Sequence, residues 1–532
     1  MSTALKQPCD EGVVRSAPGA SPCPKAHGPW ILAATILGSS MVFIDGTVVN
    51  VALPALQSHL NASVYDVQWV VESYALFLAA LLLTGGSLGD RFGRKRIYLI
   101  GVVVFALASI WCGIAPNVNQ LIIGRAVQGI GGALLVPGSL AIISASFAPA
   151  DRGRAIGTWS GFTAITAAVG PVLGGWLIEH ASWRAVFYIN APVALAVVAL
   201  VLWRVPESRD EESKERLDWP GAALATLSLG ALVFGLIESS RLGFGHPAVM
   251  GSLIGGGLGI VFFILVEHYS INPMLPVTLF RSRDFTGANL LTLFLYSALS
   301  GALFFLPLNL IQIQHYRATA AGAALLPFIL IMFTLSRWSG GLVKAYGSKL
   351  PLVVGPIIAG CGFALLAWPG VGGPFWSTFL PGLVVLGIGM AVSVAPLTTT
   401  VMNSVSANRV GVASGINNAV SRTAGLLSVA VMGIIMLQTF GAELQRQLAA
   451  QPIPLQLSQT IARQQSMLAD IMIPAETAPD VTAALQQSID ASFLSGFRRV
   501  MLIATALSWL SAFFAWLLIG GQPKVSGADI RG

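Results

Sequence analysis

The sequence predicts an all-α, polytopic membrane protein, and three observations carry that prediction. Of its 532 residues, 55% are hydrophobic and only 10% charged, a balance that a water-soluble globular protein could not hide in its interior. Apolar windows of roughly 20 residues recur along the chain, each long enough to cross about 30 Å of hydrocarbon at about 1.5 Å per residue. Lys and Arg collect in alternate short loops, the asymmetry that orients helices in a bilayer.

Fourteen windows qualify, taken in chain order. The tail, 1–29, precedes span one at 30–53, which is longer than a signal-peptide core and is followed by no small-x-small cleavage site, so it stays attached. Spans two and three, 68–88 and 97–115, flank the basic loop GSLGDRFGRKR at 86–96; spans four to six, 120–144, 155–178 and 185–203, complete a first six-helix bundle over 30–203. The charged connection 204–218 reads as a surface amphipathic or mobile linker. Spans seven and eight, 219–237 and 247–266, form an extra pair within 219–268. Spans nine to fourteen, 285–311, 320–337, 352–368, 375–401, 411–437 and 500–519, make a second bundle over 269–519. That bundle includes a Gln-, Ala- and Pro-rich outer loop, partly helical, over about 438–499, and a tail at 520–532 ends the chain.

Fifteen basic residues lie in the short loops on the side of the N-terminal tail, against Arg184, Arg241 and Arg317 opposite, so both termini are expected in the cytoplasm. The net charge of +7 is then mostly an orientation signal and no nucleic-acid partner is implied. Cys9 and Cys23 lie in the tail and Cys112 and Cys361 in spans; neither pair argues for a disulfide or a metal site. No metal-ligand His pair, nucleophile elbow or phosphate loop speaks for an enzyme.

The two halves resemble each other. GSLGDRFGRKR after span two and GGLVKAYGSKL at 340–350 after span ten align Gly86, Leu88 and Gly93 with Gly340, Leu342 and Gly347. Such repeats are the logic of secondary transporters, which place their substrate between bundles near mid-membrane.

Ionisable residues interrupt the first spans. Asp45, in MVFIDGTVVNVALP at 41–54, lies roughly 12 Å below the outer end of its helix, with Glu72 and Arg125 at roughly 6 and 8 Å. A charge at mid-helix costs on the order of 2.5–3.5 kcal/mol on insertion scales, so it is paired or faces water. An Asp, a Glu and an Arg at similar depth can neutralise one another. Burial favours a protonated carboxyl and a nearby guanidinium the ionised one, so an acid between these influences can bind and release protons. We assign proton coupling to Asp45, with Glu72 a second acid and Arg125 the restraining partner. The structural alternatives are that Asp45 hydrogen-bonds a helix break at Gly46 and Thr47, that Glu72 is a solvated rim charge, and that Arg125 is a static clamp.

Further residues complete the picture. Gly86, Asp90, Arg91, Gly93 and Arg94 suit a cytoplasmic latch, since glycine lets helices approach and ion pairs break on switching; the basic cluster also serves topology. Gly170, Pro171, Gly174 and Gly175 supply a kink and a thin interface. Asn289 and Tyr296 share a helical face, and GINNAVSR places Asn417, Asn418 and Arg422 in a span; with Met41, Trp159 and Phe162 they are candidates for the substrate path, against ordinary packing or interhelical hydrogen bonding.

DGTVVNVALP, GSLGDRFGRKR, LIIGRAVQGIGGA at 121–133 and AAVGPVLGG at 167–175 together resemble the major facilitator superfamily and, within it, the fourteen-span drug:proton antiporters of the EmrB/QacA type. The resemblance covers nearly the whole chain. It implies the major facilitator fold, two six-helix bundles plus two linking helices, in a bacterial inner membrane. It also implies export of amphipathic organic compounds or drugs against protons by alternating access, with no cofactor. Extended to partners, it implies a periplasmic adaptor and outer-membrane channel in a double-membraned cell. Lys344 stands where the first half has Asp90, so the charge relay there is not carried over, and Thr166 stands where the antiporter motif opens with Gly. The rival readings are a dedicated exporter of one metabolite, lipid or siderophore, and a sensor or scaffold that borrowed the fold.

Overall fold

The computed structural model describes residues 27–147, 149–208, 218–270, 273, 275–339, 341–405, 410–451 and 453–520. Helix α1, Gly28–Leu60, opens on a proline in its first turn, where the missing N–H has no intrahelical partner to lose, and stops at Asn61 in the left-handed conformation. Helix α2, Val64–Phe92, begins with a reciprocal capping box between Ser63 and Asp66. Helix α3 is Arg94–Ile114, and α4, Val118–Ser146, is capped by Asn117, whose Oδ1 accepts the Gln120 N–H at 3.0 Å. Helix α5 is Pro149–His180; a short turn α6, Ala185–Tyr188, leads into α7, Asn190–Arg204. Asp218 caps α8, Trp219–Leu242, and α9, Pro247–Tyr269, follows.

Helix α10, Arg283–Leu308, runs on into a π-helical turn at Asn309–Ile313 and ends there; α11, Ala318–Ala324, and α12, Leu326–Ser339, follow. Then come α13, Leu342–Tyr346; α14, Lys349–Leu366; α15, Phe375–Thr378; α16, Leu380–Asn403; α17, Val410–Ala449; α18, Leu455–Arg463; and α19, Pro479–Leu518. Helices α17 and α19 are each 40 residues long, so the stretch expected as an outer loop is largely helical.

Among the described residues, 13 helical stretches are long and apolar enough to cross a membrane. The expected fifth span coincides with α5, a continuous helix of 32 residues that lies outside those 13. Its length suffices, and 155–178 carries no Asp, Glu, Lys or Arg. The tails, with Cys9 and Cys23, and most of the charged connection lie outside the described residues.

The chain divides into two units. The first comprises Met1–Met274, Leu306–Ala323 and Leu437–Phe493; the second, Leu275–Phe305, Ala324–Met436 and Leu494–Gly532. In hydrocarbon, helices gain little from hiding apolar side chains, and close contact between small residues holds them together. In the first unit a Cβ at Gly131 of α4 would overlap the backbone of Phe105 in α3; in the second, one at Gly362 of α14 would overlap Leu386 of α16. Around the first contact Met41, Tyr74, Leu78, Tyr98 and Phe105 form a continuous buried cluster.

Candidate functional site

Asp45 and Arg125 meet inside the first unit. Each is 1% exposed, and Arg125 Nη1 is hydrogen-bonded to Asp45 Oδ2 as an ion pair. Arg125 also donates from Nη1 to Gln128 Oε1 at 2.7 Å and from Nε to the Val70 carbonyl at 3.1 Å, while its guanidinium lies 4.2 Å from the Tyr74 ring centroid. One arginine thus ties α4 to α1 and α2.

The direction of every hydrogen bond here follows from chemistry. A guanidinium only donates and a carboxylate only accepts, so the Gln128 amide must turn its oxygen to Arg125 and its nitrogen to Asp45 Oδ1, 2.8 Å away. Ser109 of α3 gives its hydroxyl hydrogen to the Phe187 carbonyl at 2.8 Å, and its oxygen accepts from Gln128 Nε2 and Asn190 Nδ2 at 3.3 and 2.9 Å. Asn190, the first residue of α7, reaches Asp45 Oδ1 at 3.4 Å. Three donors from two helices therefore converge on the carboxylate, and the network closes with Asp45 ionised.

Glu72 is not part of it. It is 1% exposed, and among the described residues its Oε2 has no hydrogen-bond partner. Trp69 and Leu76 of α2 meet Phe234 and Gly230 of α8, and Glu72 shares their helical stripe. Glu72 thus lies on the stripe of α2 that faces α8.

The glycine-rich turn of α5 grips the helix that carries Asp45. A Cβ at Gly170 would strike the Thr47 hydroxyl, and one at Gly174 would press on Val48. On the other side of α5, a Cβ at Gly175 would overlap the Ala318 carbonyl, and one at Gly322 the Pro171 carbonyl. Glu179 Oε1 accepts the Thr319 N–H at 2.8 Å, an anion at the first turn of α11.

Gly93 turns at φ 108, and Glu207 accepts the Lys95 and Arg96 N–H groups at 3.0 and 3.2 Å, capping α3. The Arg94 N–H donates to the Ser208 carbonyl at 2.8 Å. The basic loop is thereby fastened to the chain leaving α7. Gly86 packs against Pro137 and Arg91 is exposed; the Asp90 side chain lies outside the described residues.

Of the substrate-path candidates, Met41 lies in the buried cluster of the first unit. Trp159 packs on Ile143 and Ala155 and donates from Nε1 to Ser39 Oγ at 3.1 Å, whereas Phe162 has half its surface open. In the second unit, Asn417 of α17 bonds to Asn289 and Thr292 of α10, and Tyr296, Asn417 and Asn418 line one small cavity. Arg422 is half-buried and does not line it. Sequence reading missed Gln128, Asn190, Ser109 and Glu207. Gln128 alone carried a signal, three residues after Arg125 on the same helical face.

A profile of the Major Facilitator Superfamily matches residues 35–429. A tetracenomycin C resistance and export protein of Streptomyces glaucescens is 32% identical over 503 residues, covering 93% of this chain and 92% of its own length. The multidrug resistance protein Stp of Mycobacterium tuberculosis (strain CDC 1551 / Oshkosh) is 33% identical over 508 residues, covering 94% and 93%. In fold, a bacterial homologue of the human lysosomal transporter Spinster, solved inward-facing and unoccupied, superimposes with a TM-score of 0.64 at 18% identity, covering 92% of this chain and 98% of that one.

Proposed function

The chain belongs to the major facilitator superfamily, and from that premise we propose that it exports amphipathic organic compounds from the cytoplasm in exchange for protons. It is a multi-pass membrane transporter and not an enzyme. The proposal places it in a bacterial inner membrane with both termini cytoplasmic, as the basic loops argue.

One observation carries the coupling: among the described residues, every hydrogen-bond partner of the Asp45 carboxylate is a donor. A proton arriving there turns one carboxylate oxygen into a donor among donors, and Arg125 loses its counter-charge. Arg125 keeps its bonds to Val70 and Gln128, so α4 stays with α2 while its tie to α1 weakens. The α5 glycines seat α1 one turn further along, at Thr47 and Val48, and carry that loosening toward α11. Protonation thereby shifts a two-state equilibrium, the requirement for exchanging a proton against cargo. Glu72 is the second acid in this scheme, acting at the α8 seam. The loop at 86–96, held by Glu207, is the latch at the opposite membrane face.

The test uses inside-out vesicles and a panel of lipophilic cations, anions and neutral compounds. Wild type should release protons when a cargo is added, and Asp45→Asn at equal protein level should not. No proton signal from wild type with any compound would sink the reading; a signal unchanged in Asp45→Asn would move the proton site, with Glu72 next in line. The relative named for a single antibiotic favours a second reading, a dedicated exporter of one compound. Saturable competition by one endogenous metabolite against all other cargo would establish it. Neither reading requires a second protein; an adaptor and outer-membrane channel would extend the route where a second membrane follows.

A further inference from the structure

We propose that a cavity inside the second unit, between α10, α16 and α17, is a cargo subsite that accepts hydrogen bonds from a neutral hydroxyl- or N–H-bearing group. The inference rests on the export reading and adds the chemical class of what is exported. The cavity measures about 80 Å³ and presents Tyr296, Thr398, Ser414, Asn417, Asn418 and Ser421, with none of its lining residues ionised. That volume suits a polar edge of a larger compound or a few waters. Two grooves on the same unit differ: one carries Trp338, Leu342 and Val354, the other Ile357, Trp509 and Phe513, surfaces that lipid tails satisfy.

What the cavity offers can be deduced bond by bond. Asn289 Nδ2 donates to the Phe285 carbonyl at 2.9 Å and the Thr292 hydroxyl to the Ala288 carbonyl at 2.9 Å. Backbone carbonyls only accept, so Asn289 Oδ1 and Thr292 Oγ1 are both acceptors toward Asn417. Asn417 must therefore turn both N–H groups to them, at 3.2 and 2.7 Å, which leaves its Oδ1 unspent. Thr398 spends its hydrogen on the Val394 carbonyl at 3.1 Å and Ser421 on the Asn418 carbonyl at 2.9 Å. Asn418 Nδ2 donates to the Ser414 carbonyl at 3.1 Å. Among the described residues, the unspent groups are four oxygens that can only accept, on Asn417, Asn418, Thr398 and Ser421, one N–H of Asn418, and the rotatable hydroxyls of Tyr296 and Ser414. Such a wall rewards a donor. A quaternary cation, which carries none, forms no hydrogen bond with it.

The test is direct binding to the purified full-length protein in detergent, with proton release from proteoliposomes measured in parallel. The probes are a polyhydroxylated anthraquinone, its fully O-methylated derivative and tetraphenylphosphonium. Wild type should bind the hydroxylated compound about tenfold more tightly than the methylated one, as one to two retained hydrogen bonds allow. Thr398→Val and Tyr296→Phe should each cut that ratio about threefold, while Val354→Ala on the apolar groove leaves it unchanged. A wild-type ratio near one, a ratio untouched by both cavity variants, or no binding of any probe overturns the subsite. Binding preference that responds to the variants without any proton release upholds the subsite and fails the antiport reading; proton release with no preference does the reverse.

Discussion

The polar centres of the two units start from similar parts, amides and hydroxyls on neighbouring helices, and end in opposite conditions. Around Asp45 the donors of Arg125, Gln128 and Asn190 are turned onto the carboxylate, and Asp45 and Arg125 form an ion pair. Around Asn417 the amide hydrogens are spent on α10 and the acceptor oxygens remain. A closed network with an ionisable member responds to a proton because one added hydrogen breaks it. An open neutral network has little to say to a proton and much to offer a solute. The contrast teaches how one chain can divide coupling from recognition.

The largest effect should come from breaking the closed side. Asp45→Asn leaves Arg125 buried without its counter-charge, at a cost of about 3–5 kcal/mol, read as a lower unfolding midpoint and lost proton release. The double variant Asp45→Asn/Arg125→Gln should recover most of the stability and none of the coupling; if coupling returns, the acid lies elsewhere. Next, Gly175→Ala drives a methyl into the Ala318 carbonyl, an overpacking of about 1–3 kcal/mol. Export should fall severalfold in a vesicle assay while cargo binding in detergent persists.

Asn289→Ala sharpens the open side. It releases the Asn417 amide from its fixed direction and should cost about 1 kcal/mol in thermal unfolding, with a weaker preference for hydroxylated cargo. Glu72→Gln should leave thermal stability unchanged or slightly raised, because no described partner of Oε2 is lost. A fall as large as that of Asp45→Asn would mean that Glu72 is held by a charge.

The smallest effect is confined to pH. Burial raises the Asp470 carboxyl above its ordinary value of 3.8. At lower pH the folded and unfolded states are both protonated and burial costs nothing; as pH rises through the raised folded value, the cost appears in full. Asp470→Asn should therefore raise the melting midpoint near pH 7 and leave it unchanged near pH 3, about one unit below the ordinary value. An equal shift at both would assign the effect to packing.

Helix identity was legible because an apolar window of membrane length has few uses except to span a bilayer, and the Asp45–Arg125 pairing because opposite charges at one depth invite each other. Depth is a coordinate along the helix, and it says nothing about rotation around it. That is why Glu72, at a similar depth, faces α8. Gln128 sits in LIIGRAVQGIGGA three residues from Arg125, but an amide in a span is usually read as packing. Asn190 and Ser109 join Asp45 only through the fold, and no spacing announces them. Glu207 was hidden for another reason: its role depends on where the chain returns after α7. The stretch 438–499 read as loop because its Gln and Ala dilute the apolar signal, although both are good helix formers.

The two 40-residue helices have a mechanical consequence. At about 1.5 Å per residue each is roughly 60 Å long, about twice the hydrocarbon thickness. Neither is interrupted where its apolar part ends, and Gln451, just past α17, ties the pair together through Ser488 of α19 at 2.6 Å. Such a rod works as a lever with its fulcrum in the bilayer. Tilting it by about 10° swings an arm of roughly 30 Å through roughly 5 Å at the tip. A label on the tip of either helix would therefore record a tilt of that helix as displacement.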